Sequence, residues 1–549
     1  MSMPQLPVEY LAQRREDDHT GLLFEDKKWT WREFVKESDA RAHWLLENQP
    51  QDGPFHVGVM LENVPEYLFL IAAAAQTGAT IVGINTTRRG EELARDIRET
   101  DVQIVLTDST QSHLLDGLDV GTNSIVCIDD DEYICSVDNL RNRPAPSVPE
   151  AYDPNFILLL LFTSGSTGRP KAVICSSKRF GKTIDLNHSE LTRDDVGYNS
   201  MPLFHGNALF ANWAAFWKTG GAFAIARRFS ASGFLPDVLK FGATYFNYVG
   251  RSLSYILAQP EDPREKQTNL RLAYGTEASP ADRREFLRRY GAKTSESYGA
   301  SEGGLVIYPD KDSPSDALGL PPEGMNAAVL DPITYEECPR AEFDGNGKLL
   351  NASKAIGELV TLNGAEAFEG YYKNPTATNE RMRNGHFFTG DLGYRDKEGY
   401  FYFAGRGGDK IRVDSENFSA APVERILSRY QVVEMAAVYP VPDAQTGDQV
   451  MATLQVKDPG RFDPTEFSEF LKAQQDLGTK WAPKYVRVVS NIPVTATRKI
   501  DKPSLRRDRW NTPDIVYYRP NSTIEYRIFS HKDRDQIQTQ LKENQRLNL

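Results

Sequence analysis

One short stretch of the sequence, Phe162-Thr-Ser-Gly-Ser-Thr-Gly-Arg-Pro-Lys171, combines small residues, hydroxyls and a lysine. It follows an apolar run at residues 156–161, which predicts a buried strand that ends in a loop. Small residues let backbone N–H groups approach phosphate oxygens, hydroxyls add hydrogen-bond donors, and the lysine adds positive charge. A surface turn is the alternative, but a turn seldom places six small or hydroxyl residues directly after an apolar strand. The pattern therefore favours nucleotide binding.

This stretch differs from a Walker A loop, which has the pattern G-x-x-x-x-G-K-[ST]. Arg169 and Pro170 separate the last glycine from Lys171, and Ala172 stands where that pattern needs serine or threonine. We therefore expect a phosphate-binding loop of another kind. Its residues are Thr163, Ser164, Gly165, Ser166, Thr167, Gly168 and Lys171.

Further motifs follow in a fixed order along the chain. Ser297-Tyr-Gly-Ala-Ser-Glu302 holds an aromatic ring that can stack on a base and a carboxylate that can bind Mg²⁺. Phe388-Thr-Gly-Asp-Leu-Gly393 holds an aspartate after a glycine, and residues 493–502 hold a lysine in a polar loop. Gly357-Glu-Leu-Val360 and Gly370-Tyr-Tyr-Lys-Asn-Pro375 precede the aspartate motif. Each fragment by itself is weak evidence for a functional site, because such an aspartate usually lies in a turn and such a lysine is usually solvated. Their shared order is the stronger evidence.

Strands and helices must position these groups, and the hydrophobic pattern predicts both in alternation. Residues 56–61, 79–84 and 102–106 are predicted strands, and residues 65–75 and 91–99 are predicted helices. This alternation is typical of α/β layers. The proline-rich stretch at residues 141–154 is predicted to be a connector that leads to the phosphate loop.

A second break in the pattern lies at Gly405-Arg-Gly-Gly-Asp-Lys410, after the predicted strand at residues 400–404. Glycine can absorb large backbone changes, so we expect a hinge at residues 406–409, although a simple turn would have the same composition. The hinge would separate a large domain, residues 1–405, from a small one, residues 410–549.

Composition limits the class of protein. A chain of 549 residues should form two or more domains, and a net charge of −12 argues against nucleic acid as a main partner. The four cysteines lack metal-ligand spacing, which favours a reducing compartment, and we expect a cytoplasmic protein. The apolar run at residues 68–75 is too short to span a bilayer, whereas peripheral membrane contact stays open.

The order of the motifs resembles the superfamily of AMP-forming acyl-CoA synthetases and other adenylating enzymes, and the resemblance covers nearly the whole chain. Within it, the sequence is most similar to the group of fatty acid transport proteins and very-long-chain acyl-CoA synthetases. Actinobacterial relatives that activate fatty or steroid side-chain acids look similar as well. The stretches that carry the narrower resemblance are Arg227-Arg-Phe-Ser-Ala-Ser232, Asn247-Tyr-Val-Gly250, Gly405-Arg-Gly-Gly-Asp409 and Ser415-Glu-Asn-Phe418.

The resemblance implies an α/β fold with a large N-terminal domain of several subdomains and a small mobile α+β C-terminal domain. It implies that a carboxylate attacks ATP to give an acyl-adenylate and pyrophosphate, after which CoA displaces AMP. ATP, Mg²⁺ and the co-substrate CoA are thereby expected. The expected acid is a long or very long fatty acid; the alternatives are a steroid or bile-type side-chain acid, or a carrier protein in place of CoA.

The resemblance also assigns roles to single residues. The phosphate loop would bind the β- and γ-phosphates, and Glu302 with Thr163 would bind the metal. Asp391 and Arg406 would bind the ribose, and Lys499 would bridge the carboxylate and the α-phosphate. The residues expected around the adenine and the rest of the nucleotide are Gly275, Thr276, Glu277, Tyr298, Gly299 and Ser301.

The acyl site is less clearly marked. His205 occupies a position where relatives carry a histidine or an aromatic residue beside the acyl carboxylate, although a lone histidine is more often structural. Tyr248 and Gly250 resemble acyl-pocket residues, and the aromatic stretch at residues 210–217 fits either that pocket or a helical core. Ser415 stands where relatives usually have glycine, near the expected path of the pantetheine arm, which leaves the identity of the acceptor open.

A fatty-acid-binding or uptake protein that has lost catalytic activity is the competing class. The chain retains together five charged residues to which the resemblance assigns roles in catalysis or nucleotide binding, which disfavours a loss of catalytic activity. These groups are Lys171, Glu302, Asp391, Arg406 and Lys499.

Overall fold

The computed structural model of the chain describes most of its residues. These are residues 5–122, 124–147, 152–163, 170–186, 190–249, 251–276, 278, 280–314, 317–344, 349–364, 368–406, 410–413, 416–443, 447–474, 477–478, 480–495, 499–520 and 523–543. Several predicted site residues lie outside these ranges: Ser164, Gly165, Ser166, Thr167, Gly168, Glu277, residues 407–409 of the predicted hinge, and Ser415.

The chain forms two compact units. The first comprises Met1–Gly304 and Glu366–Glu380, and the second comprises Leu305–Ala365 and Arg381–Leu549. A short segment near residue 370 therefore belongs to the first unit, whereas the chain on both sides of it belongs to the second. The predicted hinge at residues 406–409 falls within the second unit, and the domain division at that point stays a prediction.

The first unit is an α/β structure with two sheets. Its strands are β1 Thr20–Phe24, β2 Lys27–Thr30, β3 His56–Met60, β4 Thr80–Gly83, β5 Ile104–Thr107, β6 Ile125–Cys127, β7 Ile157–Thr163, β8 Lys171–Ser176, β9 Val196–Asn199, β10 Ala222–Ile225, β11 Tyr245–Val249, β12 Leu272–Thr276 and β13 Lys293–Glu296. One sheet has the order β6-β5-β3-β4-β7-β8 and the other β13-β12-β11-β9-β10-β1-β2. Only β8 and β2 run antiparallel to their neighbours in these two orders.

Helices surround both sheets of the first unit. They are α1 Pro7–Arg14, α2 Trp31–Glu47, α3 Pro65–Thr77, α4 Gly90–Glu99, α5 Asp131–Leu140, α6 Ser177–Asp185, α7 Gly206–Ala208, α8 Ala214–Thr219, α9 Ala231–Phe241, α10 Arg251–Leu257 and α11 Pro280–Tyr290, with a π-helical turn at Leu209–Trp213. Helix α3 is apolar on all sides and is buried from Tyr67 to Thr77, as expected for a central core helix.

The second unit consists of mixed β-structure with short helices. Its elements are β14 Ala327–Leu330, α12 Ala352–Ala355, β15 Gly357–Thr361, α13 Pro375–Arg381 (mostly in the first unit), β16 Met382–Arg383, β17 His386–Arg395, β18 Phe401–Arg406, β19 Lys410–Val413, β20 Glu416–Ser419, α14 Ala420–Leu427, β21 Val433–Asp443, β22 Gly447–Val456, α15 Pro464–Ala473, β23 Tyr485–Val489, α16 Lys502–Asp508, β24 Ile515–Tyr518, β25 Arg527–Ile528 and α17 His531–Glu543. One sheet has the order β14-β15-β17-β16, with β18 paired to β17. A second sheet has the order β20-β19-β22-β23-β24-β25, with β21 paired to β22.

The predicted alternation of strands and helices is confirmed, with ends that shift by one or two residues. The predicted helix at residues 65–75 continues to Thr77 and ends at Gly78, whose φ of 80° is the left-handed conformation that commonly closes a helix. The strand before the phosphate loop extends to Thr163. Among the residues that the structure describes, no helix has both the length and the apolar character needed to cross a membrane.

Candidate active site

The two ends of the predicted phosphate loop lie side by side. Strands β7 and β8 pair in antiparallel fashion, and their last matched pair of residues is Thr163 and Lys171. The loop is therefore the connection of a β-hairpin, and the rigid strands fix where it begins and ends. The Lys171 side chain is only 10% exposed, and its Nζ lies 3.8 Å from a Glu380 carboxylate oxygen.

Glu302 is buried and held from two sides. The Tyr371 hydroxyl donates a hydrogen bond of 2.8 Å to Glu302 Oε1, and the Arg179 guanidinium donates to the preceding carbonyl, that of Ser301. The ring centre of the same tyrosine lies 5.3 Å from Lys171 Nζ. The structure thus brings the predicted phosphate lysine and the predicted metal carboxylate together around one tyrosine, which the sequence did not identify as a site residue.

Other predicted nucleotide residues lie at the carboxyl ends of neighbouring parallel strands. Gly275 and Thr276 end β12, and Tyr298 follows β13 by two residues. Ligands of α/β proteins bind at this edge of a parallel sheet. Tyr298 is 9% exposed, Ser301 is half-buried and Gly299 is exposed. A Cβ atom on Gly275 would lie 2.4 Å from the Tyr248 carbonyl oxygen, so glycine is required there for the close approach of the two strands.

Glu296, at the end of β13, is hydrogen-bonded to β11 and to the segment that follows β12. Its Oε1 accepts a hydrogen bond of 3.0 Å from the Tyr248 hydroxyl and one of 2.7 Å from the Ala278 backbone N–H. Burial raises the pKa of Tyr248 far above its usual value, so the phenol stays neutral and donates. Tyr248 is fully buried, and Gly250 lies outside the described residues. Sequence reasoning missed Glu296, because neither its motif nor strand β13 was identified from the sequence.

His205 is half-buried and is the N-cap residue directly before α7. Its Nδ1 accepts a 3.4 Å hydrogen bond from the Asn207 backbone N–H, which fixes the ring at the start of the helix. The loop before it is held by buried Asn63, which accepts from the Leu203 N–H at 2.9 Å. A Cβ atom on the next residue, Gly206, would lie 3.2 Å from Ser301 Oγ. The histidine loop therefore adjoins the segment that carries Glu302.

The aromatic stretch at residues 210–217 is mainly core. Trp213, Phe216 and Trp217 are fully buried in the main hydrophobic cluster of the first unit, which supports the packing interpretation. Phe210 is half-buried, and its ring centre lies 5.8 Å from the Arg179 guanidinium carbon. It remains a candidate for contact with a ligand near Ser301.

The two residues predicted to bind the ribose lie on paired strands of the second unit. Asp391 on β17 lies directly opposite Arg406 on β18 in the antiparallel pair; only the backbone of Arg406 is described. Gly390 has a φ of 76°, and its N–H donates to Glu358 Oε1 at 2.7 Å. This bond fixes the strand just before the aspartate.

Lys499 lies next to a short antiparallel bridge in the second unit. Val494 and Ile500 form an antiparallel bridge, and the Thr495 N–H donates to the Lys499 carbonyl at 2.8 Å. The Lys499 N–H donates in turn to Thr495 Oγ1 at 3.2 Å. These bonds fix the backbone of the lysine, whose side chain is half-buried.

Comparison with known proteins identifies the family. The sequence matches the family described as AMP-binding enzyme over residues 8–372, and the AMP-binding enzyme C-terminal domain over residues 422–499. The chain belongs to the AMP-binding enzyme family. The predicted adenylate-forming fold and the predicted class, an AMP-forming acid–thiol ligase, are thereby confirmed.

Individual relatives are similar over almost their full length. Steroid-22-oyl-CoA synthetase of Rhodococcus jostii is 48% identical over 511 residues, which cover 92% of each chain. The medium/long-chain-fatty-acid–CoA ligase FadD17 of Mycobacterium tuberculosis is 42% identical, covering 93% of this chain and 98% of the relative. Among solved structures, ATP-bound MatB from Rhodopseudomonas palustris has a TM-score of 0.79 at 24% identity, covering 91% of this chain and 98% of that one. The last likeness shows the fold.

Proposed function

We propose that this protein converts a lipophilic carboxylic acid into its CoA thioester in two steps. The acid first attacks the α-phosphate of ATP, giving an acyl-adenylate and pyrophosphate; the CoA thiol then attacks the acyl carbonyl and releases AMP. Family membership supports this reaction. One observation supports the assignment of particular residues to this reaction. Lys171 and Glu302 both contact Tyr371, so a cation and a carboxylate lie close together beside the β7–β8 hairpin.

The residues fit a magnesium ion held together with the nucleotide. Mg²⁺ in such sites is bound through one or two carboxylates and the substrate phosphates, so a dedicated cage of side chains is not required. Within the described residues, no three histidine, cysteine, aspartate or glutamate side chains converge as metal ligands. Glu302 would bind the ion, with Thr163 close by. The ion would reduce the charge of the phosphates and orient them.

The chain's own groups would then prepare the attack. Lys171 and the hairpin loop would hold the β- and γ-phosphates, and His205 would lie beside the acid. Lys499 would bridge the carboxylate and the α-phosphate, stabilising charge that builds up there. Rotation of residues 410–549 about the predicted hinge would remove Lys499 after adenylation and admit CoA.

The remaining predicted residues would hold the nucleoside. Asp391 and Arg406, which are paired positions on β17 and β18, would bind the ribose hydroxyls. Tyr298 would stack on the adenine, and the end of β12 would pass along the other side of the nucleotide. Glu277, Gly299 and Ser301 complete the predicted set.

Two classes of acid are supported by named relatives. The fatty acid predicted from the sequence agrees with the name of FadD17, whereas the higher identity, 48%, is to a steroid-22-oyl-CoA synthetase. We therefore propose a steroid side-chain acid as the preferred substrate and a medium- or long-chain fatty acid as the second candidate. Both relatives are named for CoA thioesters, which favours CoA over a carrier protein as acceptor.

A panel of acids tests this choice. Pyrophosphate release and CoA-thioester formation are measured with fatty acids of increasing length and with steroid acids whose side chain ends in a carboxylate. The proposal expects the highest kcat/KM for a steroid acid and thioester formation only with CoA. A higher kcat/KM for fatty acids of any length would reverse the order of the two candidates.

A further inference from the structure

Tyr371 lies where two of the predicted ATP-binding residues meet, and it is 4% exposed. Its hydroxyl donates to Glu302 Oε1 at 2.8 Å, and its ring faces the Lys171 ammonium at 5.3 Å. We infer that Tyr371 is a positioning residue: its hydroxyl orients the Glu302 carboxylate toward the metal, and its ring orients the Lys171 ammonium group toward the phosphates. This inference rests on the proposed function, since it assumes that both residues bind Mg·ATP.

The segment that carries Tyr371 is built onto the β7–β8 hairpin. Residues 368–373, which we call the strap, run antiparallel to β8, the edge strand that begins with Lys171. The Ile174 N–H donates to the Gly370 carbonyl at 3.1 Å, and the Tyr372 N–H donates to the Ala172 carbonyl at 2.9 Å. The strap thus extends the sheet, and β8 fixes the register of Tyr371 relative to Lys171.

Side chains on both sides of Tyr371 anchor the strap independently of the site. Glu369 accepts from the Ser176 N–H at 2.6 Å and from the Ser176 hydroxyl at 2.5 Å. Tyr372 donates to an Asp101 carboxylate oxygen at 2.6 Å, and Lys373 pairs with the same carboxylate. Loss of the Tyr371 hydroxyl would therefore leave the strap in place and remove one contact to the site.

The surroundings of Glu302 allow Tyr371 to orient its carboxylate. Arg179 fixes its backbone by donating to the Ser301 carbonyl, and the same guanidinium donates to the Ile174 carbonyl of β8 at 2.6 Å. The backbone of Glu302 is thereby tied to the hairpin, and Tyr371 fixes one carboxylate oxygen. Within the described part of the chain, the other oxygen, Oε2, receives no hydrogen bond, which leaves it for a cation.

Two substitutions at position 371 separate the roles of hydroxyl and ring. In Tyr371→Phe, the affinity for Mg·ATP, measured by titration calorimetry, is expected to fall about tenfold, the usual effect of losing a hydrogen bond to a charged group. The affinity for ATP in EDTA is expected to stay unchanged, because Lys171 keeps its aromatic neighbour. In Tyr371→Leu the affinity for ATP in EDTA should fall as well.

Tyr372→Phe is the matched control, since it removes a hydroxyl from the same strap but touches Asp101 instead of the site. It is expected to bind Mg·ATP as the wild-type protein does. Tyr371→Phe removes the donor to a buried Glu302 carboxylate oxygen, so it is expected to melt at a lower temperature but to be fully folded at the temperature of the assay. Equal Mg·ATP affinities of Tyr371→Phe and the wild type, or an equal loss in Tyr372→Phe, would overturn the inference. A wild-type protein that binds Mg·ATP but releases no pyrophosphate with any acid would instead contradict the proposed function.

Discussion

At the scale of single residues, the two lysines assigned to ATP chemistry have different surroundings. Lys171 is nearly buried, with an aromatic ring and a carboxylate close to its ammonium group. Such a fixed charge suits a group that holds phosphates throughout the reaction. Lys499 lies on a short loop of the second unit, where its backbone is fixed by Thr495. That placement is compatible with a charge that is needed in only one of the two steps.

Substitution of Lys499 should therefore separate the two half-reactions. We expect Lys499→Ala to slow acid-dependent pyrophosphate release by about 10²–10³-fold, the usual effect of removing one transition-state electrostatic contact. The reaction of a synthetic acyl-adenylate with CoA should keep its rate. Lys472→Ala, which changes an exposed lysine paired with Glu469, serves as the control for both assays. Equal loss of the two half-reactions in Lys499→Ala would contradict the assignment.

At the scale of elements, the site depends on strand ends, and the hydrophobic pattern predicted two of these strands, β7 and β18. The apolar run before the loop is β7, and β8 returns beside it so that Lys171 faces Thr163. The contact between Glu296 and Tyr248 was not predicted, because it requires that β11 and β13 both flank β12, a sheet order that local patterns do not contain. The motif with Tyr371 was noticed, but its role depends on pairing with β8, about 200 residues away in sequence.

The burial of Cys175 on strand β8 leads us to expect that the cysteines differ in reactivity. Cys175 on β8 is fully buried, and burial raises the pKa of its thiol to about 12, whereas Cys135 on α5 is exposed. Because only the thiolate reacts, Cys175 should stay unmodified at pH 8, and Cys135 should react first with a disulfide reagent. Burial also raises the pKa of Cys338, to about 11, so its reaction should be slow.

Peptide mapping after timed modification checks this order. Cys135→Ser should remove the fast phase, and Cys175 should become reactive only in denaturant. Modification of Cys175 in the native protein as rapid as that of Cys135 would show that β8 and the strap do not form the closed edge described above.

At the scale of the whole molecule, the sequence predicted the family and the fold because short motifs retained their order over nearly the entire chain. It did not predict the path of the chain near residue 370, which joins the first unit between two stretches of the second. That path follows from the hydrogen bonds of Glu369 and Tyr372, two polar residues whose partners lie far away in sequence. The predicted division at residues 406–409 remains a prediction.

In the proposed reaction, the acyl-adenylate forms before CoA takes part. Exchange of labelled pyrophosphate into ATP, measured with Mg²⁺ and a steroid or fatty acid but without CoA, tests it most directly. If the acyl-adenylate forms first, exchange will depend on the acid and on Mg²⁺, and AMP release will begin only when CoA is added. Absence of exchange with every acid, while the folded protein binds Mg·ATP, would contradict it.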